Sequence, residues 1–225
     1  MKRITNSLII VLMLTLSINA QAQEEKRIYT PKKFVTQHEG VFGGKKMSYT
    51  ATASETFLKN EEGKSVGSLW SVAYTQNSKI DPTNRPVTFI FNGGPGSASV
   101  WLHLGFFGPK VVSVDSDAIK DDGGAPYPLI DNKLGLLDLT DMVFIDPIGT
   151  GYSQVIGEGK GKDFWGLDED ARSIAQFMRT WVTQNNRWMS PKYIAGESFG
   201  TTRAAAVSQE LERNGQNMAL NGLIL

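Results

Sequence analysis

The sequence contains no cysteine and only two histidines, His38 and His103, among its 225 residues. The absence of cysteine excludes a disulfide framework, a thiolate zinc site and a cysteine nucleophile. Neither sign of charge is in excess, because Lys plus Arg and Asp plus Glu each number 23. This balance argues against nucleic acid or an anionic membrane surface as a partner. We predict neither a metal site nor a cofactor.

The apolar run near the N-terminus, Leu8 to Leu16, is shorter than the ~20 apolar residues that a membrane-spanning helix needs. Lys2 and Arg3 precede it, and Ala20-Gln21-Ala22 follows with small residues at the first and third positions. This order is typical of a signal peptide. We predict that residues 1–22 are cleaved after Ala22, so that no stable membrane anchor remains; a retained anchor is the alternative. Export without cysteine favours a bacterial periplasmic or extracellular protein.

The rest of the chain predicts an α/β fold. Residues 23–33 are polar and predict a flexible segment, and residues 34–225 predict one α/β domain. Residues 34–75 form β-rich stretches around a Gly43-Gly44 turn, which indicates an antiparallel meander. Short apolar runs then follow, of the kind found in strands buried on both faces of a parallel sheet: Val87–Phe91, Met142–Asp146, Tyr193–Ala195 and Leu223–Leu225. The predicted sheet is mixed and mainly parallel.

Two helices are predicted between these runs. In the first, apolar residues recur at the spacing of one helix face, and Asp168, Glu169 and Asp170 stand where the helix dipole favours negative charge. The second runs from Thr201 to Arg213 and is stopped by Asn214-Gly215. The apolar face of the first consists of Ala171, Ile174, Ala175, Met178, Trp181 and Val182.

Gly196-Glu197-Ser198-Phe199-Gly200 fits the G-x-S-x-G pattern and stands between a predicted strand and a predicted helix. A serine on this sharp turn exposes its hydroxyl at the end of the strand, and the flanking glycines avoid collisions with neighbouring backbone. The start of the helix offers free N–H groups to a developing oxyanion. We therefore predict Ser198 as a nucleophile. A plain strand-turn-helix connection is the alternative.

A glycine-rich loop, Asn92-Gly93-Gly94-Pro95-Gly96-Ser97, follows another predicted strand. Its glycines let the backbone approach a ligand closely. In an α/β-hydrolase the second oxyanion donor comes from such a loop after an earlier strand. A phosphate-binding loop is excluded because the required lysine and spacing are absent. A tight structural turn remains the alternative.

Three separated blocks resemble the serine carboxypeptidases: residues 91–97, 144–153 and 196–200, with Phe164-Trp165-Gly166 between the last two. The blocks occur in the order the family uses and span about residues 85–225. The resemblance implies an α/β-hydrolase fold and a serine-type carboxypeptidase, whose substrates are peptides with a free C-terminal carboxylate. It implies an acyl-enzyme on Ser198, an oxyanion hole from the amides of Phe199 and Gly94, and a substrate-carboxylate site at Asn92, Gly93 and Glu197.

The sequence departs from the family at two positions of this region. Phe106 stands where many members carry a second glutamate, and Ile90 stands where a tryptophan is often found. Recognition of the carboxylate is therefore expected to use other groups. Glu197, expected to be partly buried beside the nucleophile, should have a raised pKa and donate a hydrogen bond to a carboxylate. On that basis we expect peptidase activity to be favoured at acidic pH.

The sequence lacks an obvious base for Ser198. In this fold the triad runs serine, acid, histidine along the chain, but both histidines precede Ser198. We expect His38 at the surface and His103 near the cleft without the role of base. Residues 222–225 look like the interior of a buried strand. We therefore expect a C-terminally truncated chain that lacks the triad Asp and His and is itself inactive.

Other functions remain open. Another α/β-hydrolase is possible, such as an esterase or a prolyl aminopeptidase, although the latter typically carries histidine where Asn92 stands. From a different class, the chain could be a non-catalytic binding protein built on part of a hydrolase fold.

Overall fold

The structure, a computed structural model, describes residues 29–78, 81–114, 125–213 and 217–225. Residues Pro31–Leu225 form one compact unit, and of the residues before it only Tyr29 and Thr30 are described. The predicted signal peptide and residues 23–28 of the predicted flexible segment lie outside the described residues. No helix in the described ranges is long and apolar enough to span a bilayer.

Most strands of the described chain join one mixed sheet. The strands are β1 (Lys33–Phe42), β2 (Lys45–Lys59), β3 (Ser65–Gln76), β4 (Val87–Phe91), β5 (Lys110–Val112), β6 (Leu129–Asp131), β7 (Asp141–Ile145), β8 (Gln154–Val155), β9 (Lys192–Gly196) and β10 (Gly222–Ile224). The order in the mixed sheet is β1-β2-β3-β7-β4-β9-β10, with β8 paired to β3, and β5 and β6 form a separate two-stranded sheet.

The predicted N-terminal meander is present. Strands β1, β2 and β3 pair in antiparallel fashion, and β3 then pairs antiparallel with β7. The predicted turn joins β1 and β2, where Gly43 and Gly44 have φ values of 55° and 77°. Glycine reaches this left-handed region without the steric cost that a side chain would meet.

The centre of the sheet is parallel, because β4 pairs in parallel with both β7 and β9, and β9 pairs in parallel with β10. Every residue of β4 and β7 is buried. Phe89 and Phe91 face one apolar cluster, whereas Ile90 between them faces another. This alternation explains the continuous apolar runs in the sequence, since both faces of the strands are covered.

Three α-helices are described: α1 (Val100–Leu102), which continues into a π-helical turn (His103–Phe107), α2 (Leu167–Gln184) and α3 (Phe199–Glu212). The six residues predicted as the apolar face of α2 are all buried. Helix α3 begins two residues before the predicted Thr201, since it starts immediately after the elbow serine. It ends at Glu212, and the predicted stop at Asn214-Gly215 lies outside the described residues.

Asp170, predicted at the start of the helix, lies in the first turn of α2, where it is buried and ion-paired with Arg203. One prediction about burial is wrong. Strand β10 was predicted to be buried, but Leu223, Ile224 and Leu225 are 40%, 48% and 66% exposed. Strand β10 is the last in the sheet order and has β9 as its neighbour on one side. An apolar sequence alone does not show whether other parts of the protein cover the strand.

Candidate active site

The three sequence blocks meet at one edge of the sheet. Each follows the C-terminal end of a parallel strand: the glycine loop follows β4, residues 146–153 follow β7, and the elbow follows β9. Strand β4 lies between the other two, so the chain passes first to one side of β4 and then to the other. Ligands of open α/β sheets bind at such a switch point, outside the carboxyl ends of the strands.

Ser198 occupies a strained turn between β9 and α3. Its backbone has φ 57° and ψ −124°, an unusual conformation for a residue with a side chain. The residue is exposed. A methyl group built on Gly196 would lie 2.2 Å from the carbonyl oxygen of Gly200, and one built on Gly200 would lie 3.0 Å from that of Phe91. Both flanking positions therefore need glycine, as the elbow pattern predicts.

The glycine loop packs directly on the elbow. A methyl group built on Gly93 would lie 2.4 Å from the amide nitrogen of Phe199 and 2.6 Å from the carbonyl oxygen of Glu197. Gly94, next along the loop, has φ 102°, a region that favours glycine. Within the described ranges, the N–H groups of Gly94 and Phe199 donate to no other backbone group. Two backbone donors thus lie in segments that contact each other beside Ser198.

Asn92 connects the glycine loop with the elbow. Phe91 and Gly196 are paired in the sheet, so the residues after them, Asn92 and Glu197, are adjacent. The Nδ2 of Asn92 donates to Oε2 of Glu197 at 3.1 Å, and its Oδ1 accepts from the N–H of Leu102 at 3.0 Å. Because the backbone donor holds Oδ1, the orientation of the buried Asn92 amide is fixed, with its NH₂ group toward Glu197.

Glu197 is exposed rather than partly buried. This exposure removes the physical basis on which the sequence predicted activity favoured at acidic pH.

Phe106, at the position of a second family glutamate, is 65% exposed and packs edge-to-face on Phe107. Ile90, at the position of a frequent tryptophan, is buried in the apolar cluster on one face of the sheet.

A buried ion pair lies behind the two loops, and the sequence analysis missed it. Arg203 Nε donates to Oδ2 of Asp170 at 2.5 Å, and Arg203 Nη1 donates to the carbonyl oxygen of Asn92 at 2.5 Å. Helix spacing could have found both residues. Asp170 precedes the buried Ile174 by one turn, and Arg203 precedes the buried Val207 in the same way.

The loop after β7 is tied to the segment after the glycine loop by Asp146. Its Oδ1 accepts from the N–H of Ser99 at 2.9 Å, and its backbone carbonyl accepts from Ser153 Oγ at 2.6 Å. Burial raises the pKa of the Asp146 carboxyl above its ordinary value, and hydrogen bonds from the N–H groups of Ser99 and Tyr152 offset part of that rise. These contacts give Asp146 a structural role.

Neither histidine is placed as the base of Ser198. His38 is exposed and its Nε2 lies 2.7 Å from Thr36 Oγ1. His103 stacks on Phe144 with ring centroids 4.4 Å apart, and its Nε2 lies 2.7 Å from the hydroxyl of Tyr74. Burial lowers the pKa of His103 to about 4. Both rings are therefore engaged by other groups.

A cleft of about 350 Å³ opens beside the glycine loop and is lined by Pro95, Gly96, Thr150, Trp165, Phe199 and Arg203, among others. A larger open groove of about 980 Å³ lies between the β2–β3 turn and the start of α2, and no residue of the glycine loop or elbow lines it. The smaller cleft is the better candidate for substrate, because Pro95 and Gly96 of the glycine loop and Phe199 of the elbow line it. Across the described part of the chain, no three His, Asp or Glu side chains gather as metal ligands would.

Comparisons with known proteins agree with this geometry. Residues 34–225 match the profile of the serine carboxypeptidase family. The chain is 28% identical over 144 residues to serine carboxypeptidase-like 5 of Arabidopsis thaliana, covering 62% of this chain and 31% of that protein. It is 30% identical over 146 residues to retinoid-inducible serine carboxypeptidase of Homo sapiens, covering 64% and 28%. The chain thus spans about a third of the length of these curated relatives.

Among solved structures, the chain is similar to a prohormone-processing carboxypeptidase from Saccharomyces cerevisiae. The TM-score is 0.53 and the sequence identity 19%, with 79% of this chain and 38% of that chain covered. This likeness shows the α/β-hydrolase fold that the sequence predicted.

Proposed function

Because the chain belongs to the serine carboxypeptidase family, we propose that it is the nucleophile-bearing part of an enzyme that removes C-terminal residues from peptides. The observation that carries this proposal is the contact between the glycine loop and the elbow at the switch point of the sheet. This contact supports the proposal, because two backbone donors lie in segments that contact each other beside a strained, exposed serine, as acyl transfer requires.

In the proposed reaction, Ser198 Oγ attacks the carbonyl carbon of the last peptide bond and gives its proton to a general base, which then serves as the general acid. The amides of Phe199 and Gly94 stabilise the oxyanion that forms on the carbonyl oxygen. Collapse of the tetrahedral intermediate expels the C-terminal amino acid, whose amine takes a proton from the general acid, and leaves an ester on Ser198. Water then hydrolyses the ester and releases the shortened peptide.

The general base and its orienting acid are proposed to lie outside this chain. His103 is engaged with Tyr74 and Phe144, and its lowered pKa favours the neutral ring. Both histidines also precede Ser198, contrary to the order of the triad in this fold. Catalysis therefore belongs to the full-length protein, and the chain by itself is expected to be inactive.

We propose that Asn92, Gly93 and Glu197 bind the terminal carboxylate of the peptide. The fixed Asn92 amide supports this role, because its NH₂ group is a donor held at the junction of the glycine loop and the elbow. Phe106 supplies no second carboxyl group.

Because the Asn92 amide is the proposed donor to the carboxylate, selectivity for a free carboxylate over a C-terminal amide is expected to fall in an Asn92→Ala variant. Unchanged selectivity would refute this role.

We further propose that the protein is exported, with cleavage near Ala22. The order of charged, apolar and small residues in positions 1–22 supports this. N-terminal sequencing of the mature protein tests the assignment, and an N-terminus at Met1 would overturn it.

Covalent labelling tests whether the fold is catalytic at all. A fluorophosphonate probe is expected to label the full-length protein at Ser198, because the elbow, the oxyanion donors and a base together activate a serine. Peptide mapping identifies the labelled residue, and Ser198→Ala is the control. Failure of the folded wild-type protein to react would favour the alternative of a non-catalytic binding protein.

A further inference from the structure

We propose that Arg203, held by Asp170, is a positioning residue whose role is to fix both oxyanion donors in place. It borders the cleft, but its guanidinium is engaged by the Asp170 carboxylate and the Asn92 carbonyl. This inference rests on the proposed function. Both side chains are nearly inaccessible, with 2% of the Arg203 side chain and 10% of the Asp170 side chain exposed. The pair lies behind the glycine loop and the elbow, between helices α2 and α3.

The guanidinium of Arg203 contacts the parts of the chain that carry the donors. Its Nη1 donates to the carbonyl oxygen of Asn92, two residues before Gly94. Its carbon Cζ lies 5.3 Å from the ring centroid of Phe199, whose own amide is the second donor. It also lies 5.4 Å from the ring centroid of Phe91, the last residue of β4. One side chain therefore bridges the end of β4, the glycine loop and the elbow.

The glycine loop needs such an anchor. Consecutive glycines give the backbone many accessible conformations, whereas an oxyanion hole works because its donors are already in position before the charge develops. The hydrogen bond to the Asn92 carbonyl holds the peptide group at the start of the loop. The ring contact with Phe199 holds the residue after the nucleophile.

Asp170 completes the arrangement. An unpaired buried guanidinium would be costly, and the carboxylate at 2.5 Å offsets that cost. Burial raises the pKa of Asp170 above its ordinary value, and Arg203 offsets part of the rise. Asp170 is itself held, because its N–H donates to the carbonyl of Gly166 at 2.8 Å in the first turn of α2. The orientation of the guanidinium is thus determined from a rigid helix.

The test uses the full-length protein and Arg203→Lys. A lysine keeps the charge but has one ammonium group, which cannot reproduce the planar fork that joins Asp170, Asn92 and the two rings. We expect kcat to fall on the order of 10²-fold, similar to the loss of one oxyanion donor, while KM stays nearly unchanged. Arg172→Lys is the matched control, since Arg172 lies on α2 but is exposed and pairs with Glu169; it should leave kcat unchanged.

A second readout separates positioning from general loosening of the fold. A peptide boronate, which forms an oxyanion-like adduct with the serine, should lose affinity in Arg203→Lys by about the same factor as kcat/KM. The product peptide, which forms no such adduct, should bind as in the wild type. Asp170→Asn, which keeps a hydrogen-bond acceptor for Arg203, should show the same pattern with a smaller loss and serves if Arg203→Lys does not fold.

Two results would overturn the inference. One is an unchanged kcat in folded Arg203→Lys, or in folded Asp170→Asn if the first variant does not fold. The other is an equal loss of affinity for boronate and product, which indicates a substrate contact or a structural defect. Inactivity of the wild-type full-length protein would instead count against the proposed function, so the two failures are distinguishable.

Discussion

At the scale of single residues, the site depends on backbone conformations that few side chains allow. Ser198 has φ 57° and ψ −124°, and a residue held in such a region costs about 1–3 kcal/mol. The backbone atoms close to Gly196 and Gly200 leave no room for a side chain at either position, so the turn requires glycine on both sides of Ser198. The strain is tolerated because the sheet and α3 hold the residues on both sides of Ser198.

His103 provides a residue-scale prediction about pH. Its pKa is about 4 in the folded protein, against 6.5 for an ordinary histidine, because the ring is buried. The unfolded chain therefore binds a proton between these values while the folded chain does not, so folding stability falls as pH decreases from 6.5 to 4. Relative to a His103→Gln variant, the wild type should lose up to about 3 kcal/mol over this interval.

Equilibrium unfolding of both full-length proteins at several pH values measures this difference. Other titrating groups are common to the two proteins and cancel in the comparison. A difference that stays constant from pH 7.5 to 4 would show that His103 is not held in its neutral form.

The sequence could predict some of these residues and not others. The elbow and the glycine loop have local sequence motifs that are typical of particular backbone conformations, so the sequence alone could predict Ser198 and Gly94. Helix spacing marks Asp170 and Arg203 each as buried, but they are 33 positions apart, and no local pattern shows that they pair. The exposure of Glu197 depends on what surrounds the elbow in three dimensions, which its neighbours in sequence do not determine.

At the scale of secondary structure, the central strands determine where the loops lie. The predicted run Val87–Phe91 coincides with β4, and the other central runs differ from β7, β9 and β10 by one residue at their ends. Apolar runs predict the strands well, and they predict burial correctly where both faces of the sheet are covered, as at β4 and β7, but not at β10. Helix α3 was predicted to begin at Thr201 but begins at Phe199. Helix propensity does not show that Phe199 and Gly200 of the elbow already belong to the first helical turn.

The N-terminal end of β7 is anchored by a buried cluster of charges, opposite the edge that carries the site. Asp141 accepts from Arg85 Nε at 2.6 Å and from Arg187 Nη1 at 2.5 Å. An Asp141→Asn variant should be less stable by about 3–5 kcal/mol, because it leaves two guanidinium groups without a buried counter-charge. Chemical unfolding of the full-length variant measures the loss.

Glu39→Gln is the control for Asp141→Asn, since Glu39 and Lys46 form an exposed pair that should contribute little. If the two substitutions destabilised the protein equally, the cluster at the start of β7 would not anchor the sheet.

At the scale of the whole molecule, the order of strands brings the three sequence blocks together. Strands β4, β7 and β9 follow one another along the chain, but β4 lies between the other two in the sheet. The sequence predicts a mainly parallel sheet without showing which strand is central, because the buried strands have similar apolar patterns. The three sequence blocks resemble one family and occur in that family's order. This resemblance implied an α/β-hydrolase fold, and the strand pairing agrees with that fold.

The proposed catalytic groups are divided between this chain and the rest of the full-length protein. The described residues contain the proposed nucleophile, the proposed oxyanion donors and the proposed carboxylate site, whereas the base and the orienting acid are proposed to lie elsewhere in the full-length protein. The chain spans about a third of its curated relatives, so every activity test belongs to the full-length protein.

The central claim is that Ser198 is the nucleophile of a carboxypeptidase. The most direct measurement compares wild type and Ser198→Ala of the full-length protein on an N-blocked peptide with a free C-terminus and on a C-amidated peptide with a free N-terminus. The wild type should release the C-terminal amino acid from the first peptide and leave the second intact, and Ser198→Ala should lose at least ~10³-fold in rate. Release of N-terminal residues from the second peptide alone, or full activity in Ser198→Ala, would contradict the account.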